Sequence, residues 1–192
     1  KSFIFLVLFL SVILCDPSKP VWPDYFSCTV LETSEREPMP VVRRWFSDYD
    51  LNMDRIDGLV DFHGEHFFAS VYHEHAIQKE YILLHRFDTI ECFYRPINET
   101  MPKPDFSLYN YFGQSIIGFD TCYHWAYNDR TRHEFHQYWD SESLRKPMKF
   151  DWEDENRHRF RTFEYREFDI GKQDKSLFVI PEEIIKYCNP FQ

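Results

Sequence analysis

The sequence lacks the short motifs that identify several common enzyme classes. It contains no G-x-S-x-G, so the strained turn that presents a hydrolase serine is missing. It contains no H-E-x-x-H, and the pair His133 and His136 misses that zinc-binding spacing by one residue. No C-x-x-C pair and no EF-hand loop occur, which argues against a zinc ribbon, a redox motif or a calcium loop. We therefore predict no catalytic residues, no bound metal and no cofactor.

Positive charge is also in short supply. The chain has 22 basic against 32 acidic residues, a formal net charge of -10. An acidic chain is a poor partner for nucleic acid or an anionic membrane surface. Residues 157–166 do interleave arginine with aromatics, as proteins that bind single-stranded nucleic acid do. A strand with inward aromatics and outward arginines explains that segment better, so we predict no nucleic-acid partner.

Long apolar runs are confined to the beginning of the chain. Residues 3–14 are apolar apart from Ser11 and follow Lys1. This run is short of the roughly 20 residues that a membrane-spanning helix needs, and it has the layout of a secretory signal. We predict a signal peptide over residues 1–15 and a single secreted domain over 16–192, which is not an integral membrane protein.

The cysteines and a glycosylation sequon agree with export. Four cysteines, widely spaced, follow the predicted cleavage site: Cys28, Cys92, Cys122 and Cys188. An even number in a secreted chain predicts two disulfides, whose pairing the spacing leaves open. With all four paired, no thiol is free to act as a nucleophile. Asn98-Glu-Thr forms a sequon in a proline-rich segment, and we predict that Asn98 is glycosylated in an exposed loop.

Glycine is scarce, at five residues, whereas aromatic residues make up 19% of the chain. Many windows alternate apolar and polar residues or are rich in Phe, Tyr, Val and Ile, which is typical of short antiparallel strands. Large side chains favour a sheet that encloses a wide interior or lines a cavity, as a sandwich or a barrel-like sheet. The eleven predicted strands are 27–34, 41–49, 53–62, 66–72, 80–87, 89–94, 115–119, 122–127, 134–140, 147–152 and 159–168.

Proline and charge patterns suggest the remaining local structure. Residues 17–23 are predicted as an extended leading segment, residues 38–40 and 96–104 as loops, and Pro181 as the start of a brief terminal helix. Arg55 and Asp57 share a strand face, which predicts a structural ion pair beside a turn at Gly58.

The histidines of residues 53–75 allow two interpretations. His73 and His75 share one face of a strand, so they could begin a metal site that His63, His66 or His85 completes. Alternatively, the histidines occupy solvated faces and turns, since they follow no repeated spacing. We favour the second interpretation.

Several segments in order resemble ependymin-related proteins and the LolA-like domain of some secreted papain-like proteases. The resemblance rests on residues 46–58 (FSDYDLNMDRIDG), Phe112-Gly, Cys122-Tyr-His-Trp125, Tyr138-Trp139 before Pro147, and Phe178-Val-Ile-Pro181 followed by Cys188. It spans most of residues 26–188, but no protease follows in this sequence.

The resemblance implies a mostly β fold: a strongly curved antiparallel sheet, or half-barrel, with little helix and an apolar pocket. It also implies a disulfide between Cys92 and Cys188, which leaves Cys28 with Cys122, and a turn at His63–His66. The implied function is extracellular, non-enzymatic binding of a lipid or another hydrophobic small molecule. The predicted lining residues are Trp45, Ile56, Phe68, Tyr81, Leu83, Ile117, Trp125, Phe135, Tyr138, Trp139 and Phe163.

Two other functions are compatible with the same sequence. One is an extracellular module that binds a protein partner, a stand-alone relative of the protease-attached domain, which an exposed aromatic patch would favour. The other is a metal-dependent hydrolase that uses the histidines, which would require three of them to converge.

Overall fold

The computed structural model describes residues 16–35 and 37–191. The predicted signal peptide lies outside the described residues. Among these described residues, eleven strands of seven or more residues account for most of the structure, as predicted. Their bounds are β1 Tyr25–Ser34, β2 Glu37–Asp48, β3 Met53–Phe62, β4 Glu65–Glu74, β5 Lys79–His85, β6 Ile90–Pro96, β7 Asn110–Ile117, β8 Asp120–Asp129, β9 Glu134–Ser141, β10 Pro147–Asp154 and β11 Arg159–Ile170.

A short C-terminal segment completes the fold. A single 3-10 turn spans Lys175–Phe178, helix α1 spans Glu182–Ile185, and the two-residue strand β12 spans Asn189–Pro190. The predicted brief helix after Pro181 is confirmed, whereas β12 was not predicted. Among the described residues, no helix is long and apolar enough to cross a membrane.

All of the strands belong to one curved sheet that is not closed into a barrel. The strand order is β12-β6-β5-β4-β3-β2-β1-β11-β10-β9-β8-β7. Strands β1–β6 form one antiparallel meander, β7–β11 form a second, and the pairing of β1 with β11 joins them. The mostly β, curved antiparallel fold class is thus confirmed.

The chain crosses from one edge region of the sheet to the opposite edge between β6 and β7. Residues 97–109, here called the strap, make this connection. Because β6 and β7 lie on different halves of the sheet, the strap has to span one sheet face. We call the face that the strap covers the inner face and the opposite one the outer face.

The strand register determines which residues share the inner face. Cys28 of β1 lies opposite Trp45 of β2, which lies opposite Ile56 of β3, and Ile56 lies opposite Val71 of β4. On the other half, Phe163 of β11 lies opposite Phe150 of β10. Directly opposite residues point to the same side of a sheet, so each of these sets is a continuous cross-strand row.

The C-terminal segment packs against the outer face. Ile180 and Ile184 join a cluster with Tyr72, Tyr81 and Leu83 on strands β4 and β5. The predicted disulfide between Cys92 and Cys188 is confirmed and fastens this segment to β6, with Cα atoms 4.4 Å apart.

The second predicted bridge is wrong, because Cys28 and Cys122 are both unbonded and buried. Strands β11, β10 and β9 lie between β1 and β8, a separation of about 19 Å along the sheet at ~4.8 Å a strand. A disulfide requires Cα atoms within about 7 Å. The two thiols also lie on opposite faces. Cys28 and Trp125 belong to the inner-face core, whereas Cys122 lies three residues before Trp125 on β8 and therefore points to the outer face.

Two predicted turns or loops are strands instead. Residues 38–40 lie within β2, where proline is tolerated because the β1–β2 register is irregular between Glu32 and Ser34. Gly58 lies inside β3, opposite Arg43, and not in a turn. The real turn follows Phe62 at His63 and Gly64, both with positive φ angles, within the segment where the resemblance implied one.

Candidate functional site: the inner-face cavity

A cavity of about 640 Å³ lies between the inner face and the strap. Both halves of the sheet contribute to its wall, through Val30 and Ile56 on one side and Phe150 on the other. Its lining is mainly aromatic and aliphatic, and it falls in the size range of small-molecule sites, about 300–1,000 Å³. The full lining is Trp22, Val30, Glu32, Arg43, Trp45, Asp54, Ile56, His73, His75, Glu99, Pro102, Pro104, Asp105, Phe106, Leu108, Tyr109, Tyr127, His136, Tyr138, Phe150, Phe163 and Tyr165.

The strap is held to the sheet by specific contacts. The ring of Phe106 lies 4.3 Å from that of Tyr138 in β9, measured between centroids. The hydroxyl of Tyr109 lies 3.3 Å from Nδ1 of His136, which is also in β9. At the other end, the carbonyl oxygen of Glu99 lies 3.0 Å from Nδ1 of His75, which directly follows β4. The strap therefore bridges both halves of the sheet and forms the roof of the cavity.

An aromatic cluster around Trp22, in the segment that precedes β1, lies beside the cavity, and Trp22 and Tyr165 line it. Trp22 makes edge contacts with Phe26 and Tyr165, with ring centroids 5.6 Å apart in each case. Phe26 and Phe168 stack at 4.9 Å. Aromatic pairs of this geometry contribute about 0.5–1.5 kcal/mol each beyond their buried area. The cluster therefore stabilises the packing of the leading segment against β1 and β11 beside the cavity.

A charged group lies in the wall beside the strap. Asp54 accepts hydrogen bonds from His73 Nδ1 at 3.0 Å and from His75 Nε2 at 2.7 Å. The indole N–H of Trp45 donates to the same carboxylate at 3.2 Å. Nε2 of His73 also faces Glu80 at 3.6 Å. As predicted, His73 and His75 share a strand face, but their shared partner is a carboxylate.

The partners of these histidines indicate that both rings are charged. Each ring places one nitrogen against Asp54 and the other against a second oxygen acceptor, from Glu80 for His73 and from the Glu99 carbonyl for His75. Burial opposes protonation of His73, but its hydrogen bonds to the two carboxylates raise its pKa from 6.5 to about 9. The hydrogen bond to Asp54 likewise raises the pKa of His75.

The carboxylate in the same group is correspondingly stabilised. Burial works against ionisation of Asp54, yet the hydrogen bonds from the two imidazolium rings lower its pKa. Among residues 16–35 and 37–191, no group of three or more His, Cys, Asp or Glu side chains could hold a metal ion. His73 and His75 thus form ion pairs with Asp54 and Glu80. In the described part of the chain, three histidines do not converge as a metal-dependent hydrolase would require.

The predicted lining residues fall into three groups. Those that line the cavity are Trp45, Ile56, Tyr138 and Phe163, and Trp125 is buried in the same cluster behind them. Those on the outer face are Phe68, Tyr81, Leu83, Phe135 and Trp139. Ile117 ends β7 at the sheet edge. Neighbouring side chains on a strand point to opposite faces of the sheet. For five of the eleven residues the prediction chose the wrong face, so these side chains do not line the cavity.

The prediction missed lining residues of three kinds. The first kind consists of aromatic and aliphatic residues on strands that were not assigned to the cavity, namely Val30, Tyr127, Phe150 and Tyr165. Trp22, Phe106 and Tyr109 come from segments without strands, and Asp54, His73 and His75 are polar residues in a predominantly apolar wall. For Trp22, Phe106 and Tyr109 the local signal was the presence of large aromatic residues inside proline-rich segments, since burial of such side chains is strongly favourable.

The Arg55–Asp57 pair has a structural role on the outer face. Nε of Arg55 donates to Asp57 at 2.8 Å, and Nη1 donates to the carbonyl oxygen of Leu177 at 3.0 Å. The guanidinium also lies over the ring of Tyr72, 5.0 Å from its centroid. The predicted ion pair is therefore present, and it anchors the C-terminal segment to β3.

Comparison with known proteins defines the fold and not a family. No protein-family model and no curated protein matches the chain. Among solved structures, an uncharacterized conserved protein from Thermus thermophilus has a TM-score of 0.56 at 11% sequence identity. That alignment covers 88% of this chain and 91% of the other, and at this identity it shows similarity of fold alone.

Two further structures are similar at a lower level. A putative outer membrane lipoprotein-sorting protein domain from Vibrio parahaemolyticus has a TM-score of 0.35 and 7% identity, covering 80% of this chain and 88% of that one. A DUF1329 family protein from Desulfovibrio piger has a TM-score of 0.25 and 9% identity, covering 82% and 90%. A lipoprotein-sorting domain thus stands among the similar structures, although these scores carry no argument about function. The relationship to ependymin and to the protease-attached domain stays a prediction.

Proposed function

We propose that the protein binds a lipid or another hydrophobic small molecule in the inner-face cavity and performs no chemistry on it. The observation that carries this proposal is the cavity of about 640 Å³, walled by aromatic and aliphatic side chains and roofed by the strap. Each CH₂ group of a ligand that is buried there contributes about 0.8 kcal/mol. A hydrocarbon chain is therefore the simplest ligand that gains affinity from such a wall.

An extracellular location accords with this function. The disulfide between Cys92 and Cys188 is a feature of oxidising compartments, where carriers of apolar compounds operate between cells or membranes. Secretion, the signal peptide over residues 1–15 and glycosylation of Asn98 remain parts of the proposal. Asn98 is exposed on the strap, where a glycan has access to solvent.

The proposal is tested by native mass spectrometry of the protein secreted from a eukaryotic host, followed by solvent extraction. We expect a stoichiometric apolar ligand, or uptake of added fatty acid by the unliganded protein. A mass without any ligand, and no uptake of fatty acids of different lengths, would refute the carrier function. The same spectra report whether a glycan is attached.

A pair of variants tests the site. Ile56→Trp adds bulk to the cavity wall, and we expect at least a tenfold loss of fatty-acid affinity. Val42→Trp on the neighbouring strand is the matched control, because Val42 is 54% exposed on the outer face. Equal affinities of the two variants would place the ligand elsewhere.

A protein-binding function is the second candidate, and one observation favours it. Val42, Leu59 and Phe68 form an exposed apolar row across β2, β3 and β4 on the outer face, each at least half exposed. Exposed apolar patches often mark interaction surfaces. For this function, Phe68→Ser should abolish binding to an extracellular partner and leave fatty-acid uptake unchanged.

A further inference from the structure

Two arginines share one glutamate at the inner face. Nη1 of Arg43 lies 2.5 Å from Oε2 of Glu32, and Nη1 of Arg161 lies 3.7 Å from Oε1 of the same carboxylate. Glu32 is largely buried, with 15% of its side chain exposed, whereas the arginines are 40% and 57% exposed. This triad carries a net charge of +1 in a chain of net charge -10. It is therefore a local positive site.

Two members of the triad line the cavity, and the third lies just outside its lining. Glu32 and Arg43 both line it, beside the apolar side chains of Val30 and Phe163. Arg161 lies two residues before Phe163 on β11 and opposite Ser34 of β1, so it extends the same inner-face row. The apolar wall and the positive charge thus lie side by side, as the binding of an amphiphile requires.

The backbone is shaped to accommodate Arg43. Its neighbour on β3 is Gly58, and a Cβ atom at that position would lie 3.0 Å from Cγ of Arg43 and 3.0 Å from the carbonyl oxygen of Val42. Any larger residue at position 58 would push the arginine stem away from the wall. Gly58 therefore leaves room for the stem of Arg43 beside the apolar cavity.

The arginines retain donors that a ligand can use. A guanidinium has five N–H groups, and Arg43 directs one of its terminal nitrogens to Glu32, whereas Arg161 meets that carboxylate only at ion-pair distance. The other charged group in the wall is saturated, because all four ring nitrogens of His73 and His75 already face acceptors. An anionic group of a ligand would therefore find free charged donors at Arg43, in the described lining, and at Arg161 beside it.

The remaining carboxylates of the lining do not compete for these arginines. Asp54 is bound by the two histidines, and Asp105 accepts hydrogen bonds from the backbone N–H and hydroxyl of Ser107. Glu99 lies on the strap, next to the His75 contact. Of the carboxylates that the structure describes in the lining, only Glu32 occupies the arginine donors.

We propose that the ligand is an amphiphile with an anionic head group, a carboxylate or a phosphate, which Arg43 and Arg161 bind in competition with Glu32. This inference rests on the proposed function, since it assigns the chemical class of the ligand in the same cavity. Guanidinium groups bind both head groups through paired N–H donors. In this arrangement Glu32 is an internal anion that keeps the arginines oriented until the ligand arrives.

The test compares dodecanoate with 1-dodecanol by calorimetric titration near neutral pH, because these ligands share a chain and differ in charge. The wild-type protein should bind dodecanoate about tenfold more tightly, as expected for one charge-assisted hydrogen bond. Arg43→Gln should abolish this preference, so that dodecanoate binds no more tightly than 1-dodecanol, and the remaining binding of 1-dodecanol shows that the variant is folded. Dodecyl phosphate in the same assay distinguishes the two head groups.

Glu32→Gln gives the sharper result, because the two roles of this residue predict opposite effects. With the competing carboxylate removed, dodecanoate affinity should rise severalfold, whereas a glutamate that only supports the wall would lower the affinity for both ligands. Arg166→Gln is the matched control, since Arg166 pairs with Glu164 away from the cavity and should have no effect.

The outcomes separate the two proposals. Equal binding of dodecanoate and 1-dodecanol by the wild-type protein would overturn the anionic head group and leave the cavity as an apolar site. Binding of neither ligand would overturn the proposed function and this inference together. A dodecanoate preference that survives in Arg43→Gln and in Arg161→Gln would assign the head group to other residues and overturn the inference.

Discussion

The charged group in the cavity wall makes stability depend on pH in a calculable way. His73 has a pKa of about 9 in the folded protein against an ordinary value of 6.5, because Asp54 and Glu80 hold its charged form. A shift of this size corresponds to about 3 kcal/mol of stability, at roughly 1.4 kcal/mol for each pKa unit. The side chain is only 21% exposed, so solvent screens its interactions weakly.

The direction of the effect follows from the higher folded-state pKa. Below about pH 6.5 the ring is protonated in both the folded and the unfolded protein, and the full contribution is present. As the pH rises towards 9, unfolding releases a proton that the folded protein retains. The free energy of unfolding should therefore fall by a few kcal/mol over this interval. His75 shares Asp54 and changes in the same direction.

The measurement is urea denaturation of the wild-type protein and two variants at intervals from pH 6 to pH 9. His73→Gln removes the titrating ring, so its free energy of unfolding should depend much less steeply on pH. His66→Gln, which changes an exposed histidine in the first residues of β4, should retain the wild-type dependence. If His73→Gln shows the same slope as the wild-type protein, the charged pairing of His73 with the two carboxylates is refuted.

Three further changes test the packing on both faces. Arg55→Met leaves Asp57 without its partner and releases the C-terminal segment, so the free energy of unfolding should fall by about 3 kcal/mol in urea titration, and an unchanged value would refute the anchoring role. Trp125→Phe removes the 2.6 Å hydrogen bond that the indole donates to buried Asp140, whose other partner Arg145 remains, and should cost about 2 kcal/mol by the same assay. An unchanged free energy of unfolding would refute this contribution. Reduction of the Cys92–Cys188 disulfide, which closes a 96-residue separation, should cost about 5 kcal/mol in the chain-entropy model. Thiol labelling of the denatured, unreduced chain from residue 16 onwards should detect two free thiols.

Local sequence patterns were sufficient to predict most strands. Met53–Phe62 was predicted with its observed bounds, since alternation of side chains along a strand is a local signal. Gly58 was misjudged as a turn because the sequence cannot show that Arg43 on another strand needs the space above it. The proline residues at 38–40 were misjudged for a related reason, since an irregular register makes proline acceptable there.

The cavity was predicted only in part. Alternation identifies two faces for every strand but does not say which face turns inward, and this is why Trp45 and Ile56 were assigned to the wall together with Phe68 and Leu83, which face outward. The roof depends on strand order, because the strap crosses the inner face only if β6 and β7 lie on different halves of the sheet. No pattern within the strap itself carries that information.

The sequence by itself determined that this chain forms a mostly β, disulfide-linked protein with a large aromatic content, because propensity, alternation and cysteine spacing act over short distances or through composition. Only the tertiary structure decided that two meanders join through β1 and β11, that Cys28 and Cys122 stay apart, and that Glu32, Arg43 and Arg161 meet at an apolar cavity. These features depend on pairings between residues more than 100 positions apart along the chain, and the register of such pairings is set by the packing of the whole sheet.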